Sequence, residues 1–197
     1  MRPSIAGNWK MHGLAAQLEQ IQAVAASVKS LPLQADVLIG VPSTLINRAA
    51  QASSGRLAIG GEDCSAEQAA ALTGDVDADM LRDAGATAVI GHSERRRSHQ
   101  ETDAKVAAEV TAAWAAGLST IVCIGETQKQ RSAGEAVAVC STQLASSLHD
   151  LATGCETSVA YEPLWAISSG HMPTAGDIAE IRAHIRSCLV ARFGEDG

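Results

Sequence analysis

The chain has 197 residues, 46% of them hydrophobic, and a formal charge of −7 with histidine neutral. That length and apolar content suit a single domain able to bury its own core. The acidic balance, with no basic block to offset it, argues against nucleic acid or an anionic membrane as the main partner, while small anionic substrates stay compatible with local cations.

A short run from Ser4 to Trp9 precedes Lys10, and Gly13 then opens a periodic segment. Leu14, Leu18, Ile21, Ala25 and Val28 recur at steps of three and four, which predicts one buried face of a helix. Residues 36–41 form a nearly continuous apolar run of strand length, as in a parallel sheet covered on both faces. A helix capped by Ser43 is expected through Ser53, then a strand over 56–61. Residues 63–72 read as a long loop ending near Thr73-Gly74-Asp75. A brief helix over 77–84 stops at Gly85, a suitable C′ residue, and a strand over 86–90 leads into Gly91 and His92.

The next helix, about 102–116, carries Val106, Val110, Ala113 and Trp114 and stops at Gly117, before a strand over 118–124. Thus 83–89 and 115–121 share one helix-glycine-strand grammar. A helix over about 134–151 follows, with Val137, Leu144, Leu148 and Leu151 as its stripe, then a strand over 157–161. The last helix starts at Thr174 with Asp177 placed as in a capping box, and buries Ile178, Ile181, Ile185 and Leu189.

Six strands, each followed by a helix or helical turn, leave an open doubly wound sheet or a closed barrel. No G-x-G-x-x-G and no G-x-x-x-x-G-K-[ST] is present, so nucleotide binding by those routes has little support. In a barrel, functional residues gather at the C-terminal ends of strands, where Asn8, Lys10, His92, Glu126 and Glu162 all fall. Five scattered cysteines, Cys64, Cys123, Cys140, Cys155 and Cys188, fit reduced thiols of a cytoplasmic protein. The N-terminus lacks the apolar core of a signal peptide, and no segment is long and apolar enough to span a bilayer.

Glu162 is the leading candidate base: a strand-end carboxylate between Tyr161 and Pro163, partly desolvated by that setting. A surface salt-bridge role is its plain alternative. His92 precedes the polar turn Ser93-Glu94-Arg95-Arg96, whose free N–H groups disfavour an imidazolium. His92, Ser93 and Glu94 are not a hydrolytic triad, because sequence neighbours project in different directions. The other histidines show no ligand spacing, no H-E-x-x-H occurs, and no metal is implied. Trp114 reads as core, and Trp9 and Trp165 lie beside the candidate site.

Taken together, Asn8-Trp9-Lys10-Met11, Gly91-His92-Ser93-Glu94-Arg95-Arg96, Cys123-Ile124-Gly125-Glu126-Thr127 and Ala160-Tyr161-Glu162-Pro163-Leu164-Trp165-Ala166-Ile167 resemble the signatures of the triosephosphate isomerase family, in its order and spacing. The resemblance covers the chain from first strand to last helix. It implies a TIM (β/α)8-type barrel, and cofactor-free proton transfer between dihydroxyacetone phosphate and glyceraldehyde 3-phosphate through an enediol. By the division of roles already described for this family, it implies that Glu162 takes the proton from carbon and neutral His92 polarises the carbonyl. Lys10, with Asn8 nearby, holds the anionic substrate. Glu94 and Glu126 match supporting positions, and residues 163–174 match the mobile lid.

The same resemblance sets further expectations. A (β/α)8 barrel typically needs about 250 residues, so residues 1–197 are expected to be one truncated barrel domain of six βα units. The seventh and eighth strands, with their phosphate-binding loops, are then lacking. A non-catalytic, truncated isomerase-like protein is the alternative reading. Ser168 stands where the family has a glycine whose N–H meets the phosphate. The strand before Gly91 is one residue short, which a bulge or tightened loop must absorb. Ala71-Leu72-Thr73-Gly74-Asp75 resembles the family's dimer segment, implying a homodimer through the loop around Thr73.

Overall fold

The computed structural model describes residues 3–30, 35–148, 157–167 and 169–194, and in it strands alternate with helices. β1 (Ser4–Asn8), α1 (Leu18–Ser30), β2 (Asp36–Val41), α2 (Ile46–Ser53) and β3 (Ala58–Gly61) are followed by α3 (Ala78–Asp83) and β4 (Ala88–Gly91). Then come the short α4 (Ser93–Ser98), α5 (Asp103–Ala115) and β5 (Ser119–Ile124). α6 (Gln128–Ser132), α7 (Ala136–Ser147), β6 (Thr157–Tyr161) and α8 (Ala175–Phe193) complete the described elements. Strand neighbours follow chain order from β1 to β6, and the pairs from β1 to β4 are parallel. Each parallel step requires a crossover, which the intervening helices supply.

The chain divides into two compact units, Met1–Ile90 with Thr111–Thr120, and Gly91–Val110 with Ile121–Gly197. In the first, Ile21 and Ala25 of α1, Ile46 of α2, Val41, Ile59 and Leu81 form one buried cluster against which Trp9 packs. Gly13, at φ +112°, is required there: a Cβ would lie 2.5 Å from Trp9 Cε3. The helix-glycine-strand grammar is real. Gly85 and Gly117 both have positive φ, and the amides of Ala86 and Leu118 reach back to the carbonyls of Leu81 and Ala113 at 2.9 Å, the bonding of a Schellman end.

β4 meets β3 in unbroken register, Gly60 with Ala88 and Gly61 with Val89, so no bulge interrupts this stretch. Val89 joins the buried helix-side cluster. Leu14 departs from the predicted stripe and is 74% exposed, because Gly13 and a 3-10 turn over Ala15–Gln17 break the helical period before α1 begins. Trp114 is half-buried rather than core, its indole N–H donating to Thr120 Oγ1 at 3.2 Å.

In the second unit, Val106 and Val110 of α5, Cys140 and Leu144 of α7, and Ile181 and Ile185 of α8 are buried. The helix expected over 134–151 is α7, with a separate short helix, α6, ahead of it. Thr127 and Gln130 form a capping box that starts α6, and Gly134, at φ +74°, lies between α6 and α7 instead of opening a helix. Val137 is half-buried, and Leu151 and Cys155 lie outside the described residues. Two arginines of α4 are paired: Arg95 with Glu101 at 2.5 Å, and Arg96 with Asp103 and, at 2.8 Å, with Ser147 Oγ.

Thr174 caps α8 as expected, with Asp177 completing the box. Ile178, by contrast, is exposed and Leu189 half-buried. The first turn is held by polar contacts among Thr174, Asp177 and Arg131, and full burial starts at Ile181. Hydrogen bonds from the Thr174 side chain and amide, and then from Arg131, hold the Asp177 carboxyl below the usual carboxylate range. A depressed folded-state pKa stabilises at pH above the unfolded value of about 4, and the contribution is lost as pH falls through the folded value. Urea midpoints of wild type and Asp177→Asn should therefore differ at neutral pH and converge below about pH 4. A gap that widened in acid would contradict this.

Candidate active site

His92 is the N-cap residue of α4, with extended φ −107° and ψ 139°, and is 6% exposed. Leaving β4, the chain turns there into a helical first turn whose leading amide is free to donate. The Ser93 N–H donates to Glu162 Oε2 at 3.4 Å, a long bond that leaves the carboxylate loosely held. Glu162 is half-buried and lies just past β6. Its own amide donates to Ile124 O at 2.8 Å, and the Leu164 amide to Glu126 O at 3.0 Å. One ligand atom from each of His92, Cys123 and Glu162 lies within 4.8 Å of the others. Ser93 is fully buried, and its Oγ finds no hydrogen-bond partner among the described residues.

The approach of β5 to the exit of β6 depends on Gly125. A Cβ there would lie 2.0 Å from Glu162 O and 2.6 Å from its carbonyl carbon. Gln143 of α7 fixes the same residue from the other side, accepting from its amide at 2.9 Å and donating to its carbonyl at 3.3 Å. The backbone of the candidate base is thus positioned by a glycine and a glutamine amide.

Beneath it, Glu126 is fully buried and multiply bonded. Tyr161 Oη donates to its two carboxylate oxygens at 3.0 and 3.1 Å, Trp165 Nε1 donates at 2.8 Å, and Arg131 lies 3.8 Å away. Buried carboxylates persist when paired and hydrogen-bonded in this way. Burial, and then the bonds to Glu126, push the Tyr161 phenol well above its usual ionisation range, so it stays a donor. Burial, and then the Glu126 charge, push the Cys140 thiol up to about 12. Cys140 should resist alkylation of the native protein while half-buried Cys188 reacts, as peptide mass spectrometry after iodoacetamide treatment reads directly. Native-state labelling of Cys140 ahead of Cys188 would contradict that order.

A family model described as triosephosphate isomerase matches residues 3–196. The triosephosphate isomerase of Rhodopseudomonas palustris (strain BisA53) is 49% identical over 201 residues, covering 100% of this chain and 79% of that protein. The same-named protein of Afipia carboxidovorans is 52% identical over 199 residues, with the same coverage. The chain belongs to the triosephosphate isomerase family. The crystal structure of triosephosphate isomerase from Bartonella henselae superposes with a TM-score of 0.89 at 42% identity, covering 99% of this chain and 78% of that one. The architecture is therefore α/β of the TIM-barrel type, with six βα units.

For a triosephosphate isomerase family chain, the expected residues fall in three groups. His92, Glu162 and Glu126 lie together in the second unit by the contacts above, with half-buried Glu94 in the first turn of α4. Asn8 and Lys10 lie in the first unit, where Asn8 Oδ1 accepts from the Lys10 amide at 2.6 Å. Lys10 has φ +55°, an uncommon conformation for a lysine. Ser168 lies outside the described residues. Sequence reading missed Gln143, whose partner Gly125 stands 18 residues away, and Arg131, which lies near Glu126 five residues before it and bonds Asp177 46 residues after it, the longer separations being ones at which no local pattern signals contact. Gly125 and Cys123 were legible only as parts of a motif.

Proposed function

We propose that this chain interconverts dihydroxyacetone phosphate and glyceraldehyde 3-phosphate as an intramolecular aldose-ketose isomerase, by proton transfer through an enediol. Glu162 is the carbon base, His92 the group that polarises the carbonyl and shuttles protons, and Lys10, with Asn8, the cation for the phosphate. Ser168 is assigned to substrate binding from its position in the sequence. Glu94 and Glu126 support the site. The observation carrying this reading is the convergence of buried His92 and half-buried Glu162 at the ends of β4 and β6. A base and an electrophile from separate strands are what enolisation requires, and no cofactor is needed for it.

The expected result is that dihydroxyacetone phosphate in deuterated water, followed by proton NMR with the purified chain, yields glyceraldehyde 3-phosphate and carbon-bound deuterium together. Neither product nor exchange above the Glu162→Gln background would reject the isomerase.

The same reading makes residues 1–197 one domain of a homodimeric, cytoplasmic protein. Exposed Ala71–Asp75, with Leu72 46% exposed, supports the dimer, and the scattered cysteines Cys64, Cys123, Cys140 and Cys188 fit a reducing compartment. No described helix is long and apolar enough to cross a membrane. Sedimentation equilibrium of wild type against Leu72→Asp checks the dimer: equal masses at every concentration would remove that loop from the interface.

A further inference from the structure

We propose that His92, Cys123 and Glu162 form a binding site for a zinc-class divalent cation, and that the bound cation reversibly silences the enzyme. A ligand atom from each lies within 4.8 Å of the other two. Tetrahedral zinc, with bonds of about 2.0 Å to nitrogen and oxygen and about 2.3 Å to sulfur, sets these ligands roughly 3.3–3.5 Å apart. Closing any pair of the set takes at most about 1.5 Å. Cys123 at the end of β5 and His92 at the head of α4 are buried in regular structure. The Glu162 carboxylate is half-buried and restrained from Ser93 only by a 3.4 Å bond.

The donor set selects the cation. One sulfur, one imidazole nitrogen and one carboxylate oxygen suit Zn²⁺ and exclude Mg²⁺ and Ca²⁺, which require oxygen shells. On binding, the Cys123 thiol releases its proton to solvent as the metal–sulfur bond forms, His92 contributes a ring lone pair, and water takes the fourth position. Thiolate and carboxylate together cancel the 2+ charge, which a mostly buried site requires. No redox change is involved. The inhibitory consequence rests on the reading of Glu162 as the carbon base, because a metal-bound carboxylate cannot accept a proton; the binding does not.

The test is titration of the chelator-treated full chain with Co²⁺, followed by displacement with Zn²⁺, alongside turnover measurements. Wild type and Cys188→Ser should each take up one equivalent with sulfur-to-cobalt charge-transfer absorption, and Cys123→Ser should lose that band. Zn²⁺ should inhibit wild-type turnover, chelator should restore it, and whatever turnover Cys123→Ser retains should be at least about tenfold less sensitive to Zn²⁺. A band that survives in Cys123→Ser, or vanishes in Cys188→Ser, overturns the site. If Cys123→Ser does not fold, X-ray absorption of the zinc-loaded wild type must show one sulfur at about 2.3 Å, and a shell of nitrogen and oxygen alone overturns the proposal. Uptake as described by a chain without turnover would reject the isomerase reading and keep the metal site. Turnover without uptake would do the reverse.

Discussion

Glu162→Gln should lower kcat by at least about 10²–10⁴, the usual contribution of a positioned general base, with little change in KM. The amide keeps the size of the carboxylate, and its oxygen can still accept from the Ser93 N–H that now reaches Glu162 at 3.4 Å. The main loss is basicity toward carbon. A fall in kcat and kcat/KM by the same factor marks an interaction made in the transition state alone. A coupled assay with circular dichroism on both proteins separates this from unfolding: a folded variant retaining wild-type kcat would remove Glu162 from the role.

The largest structural effect is expected at Gly125→Ala. The new methyl would stand 2.0 Å from Glu162 O and 3.1 Å from Pro163 N, both backbone atoms that no rotamer change can move. Overpacking typically costs about 1–3 kcal/mol, and a backbone clash belongs at or above the top of that range. At about 2–4 °C per kcal/mol for a chain of this size, Tm should drop by roughly 6–12 °C. Turnover at a permissive temperature should fall as well, since the atoms displaced belong to the base. Gly134→Ala is the matched control. It has φ +74° and open space where the methyl goes, so it bears only the left-handed penalty of about 1–2 kcal/mol. Equal losses in the two variants would mean that the close approach of β5 to β6 is not what makes Gly125 necessary.

How much of this was readable in the residues depended on how local each cause is. The nearly continuous apolar run over 36–41 marked β2 with the bounds observed, as in a strand covered on both faces, and the expected strand over 157–161 coincides with β6, whose residues are half-buried or exposed. The glycine stops at Gly85 and Gly117 were legible since only glycine takes that backbone angle cheaply. α6 was missed although its capping box, Thr127 with Gln130, is written in the chain, because a five-residue helix has too few turns to show a period. The candidate base and electrophile were legible as motif residues, whereas the bonds that hold their surroundings, Gln143 to Gly125 and Arg131 to Asp177, join residues far apart in sequence.

Among the described residues, the segment just after Glu162 is tied to Glu126 by two hydrogen bonds. Its backbone enters through the Leu164 amide on Glu126 O, and its largest side chain through the Trp165 indole on the Glu126 carboxylate. Both bonds end on a residue that is fully buried beneath Tyr161 and Arg131. Full departure of this turn from its seat breaks both bonds to Glu126. It moves Trp165 from a charge-bonded, half-buried setting toward solvent, so the chain carries its own fluorescent reporter of that step.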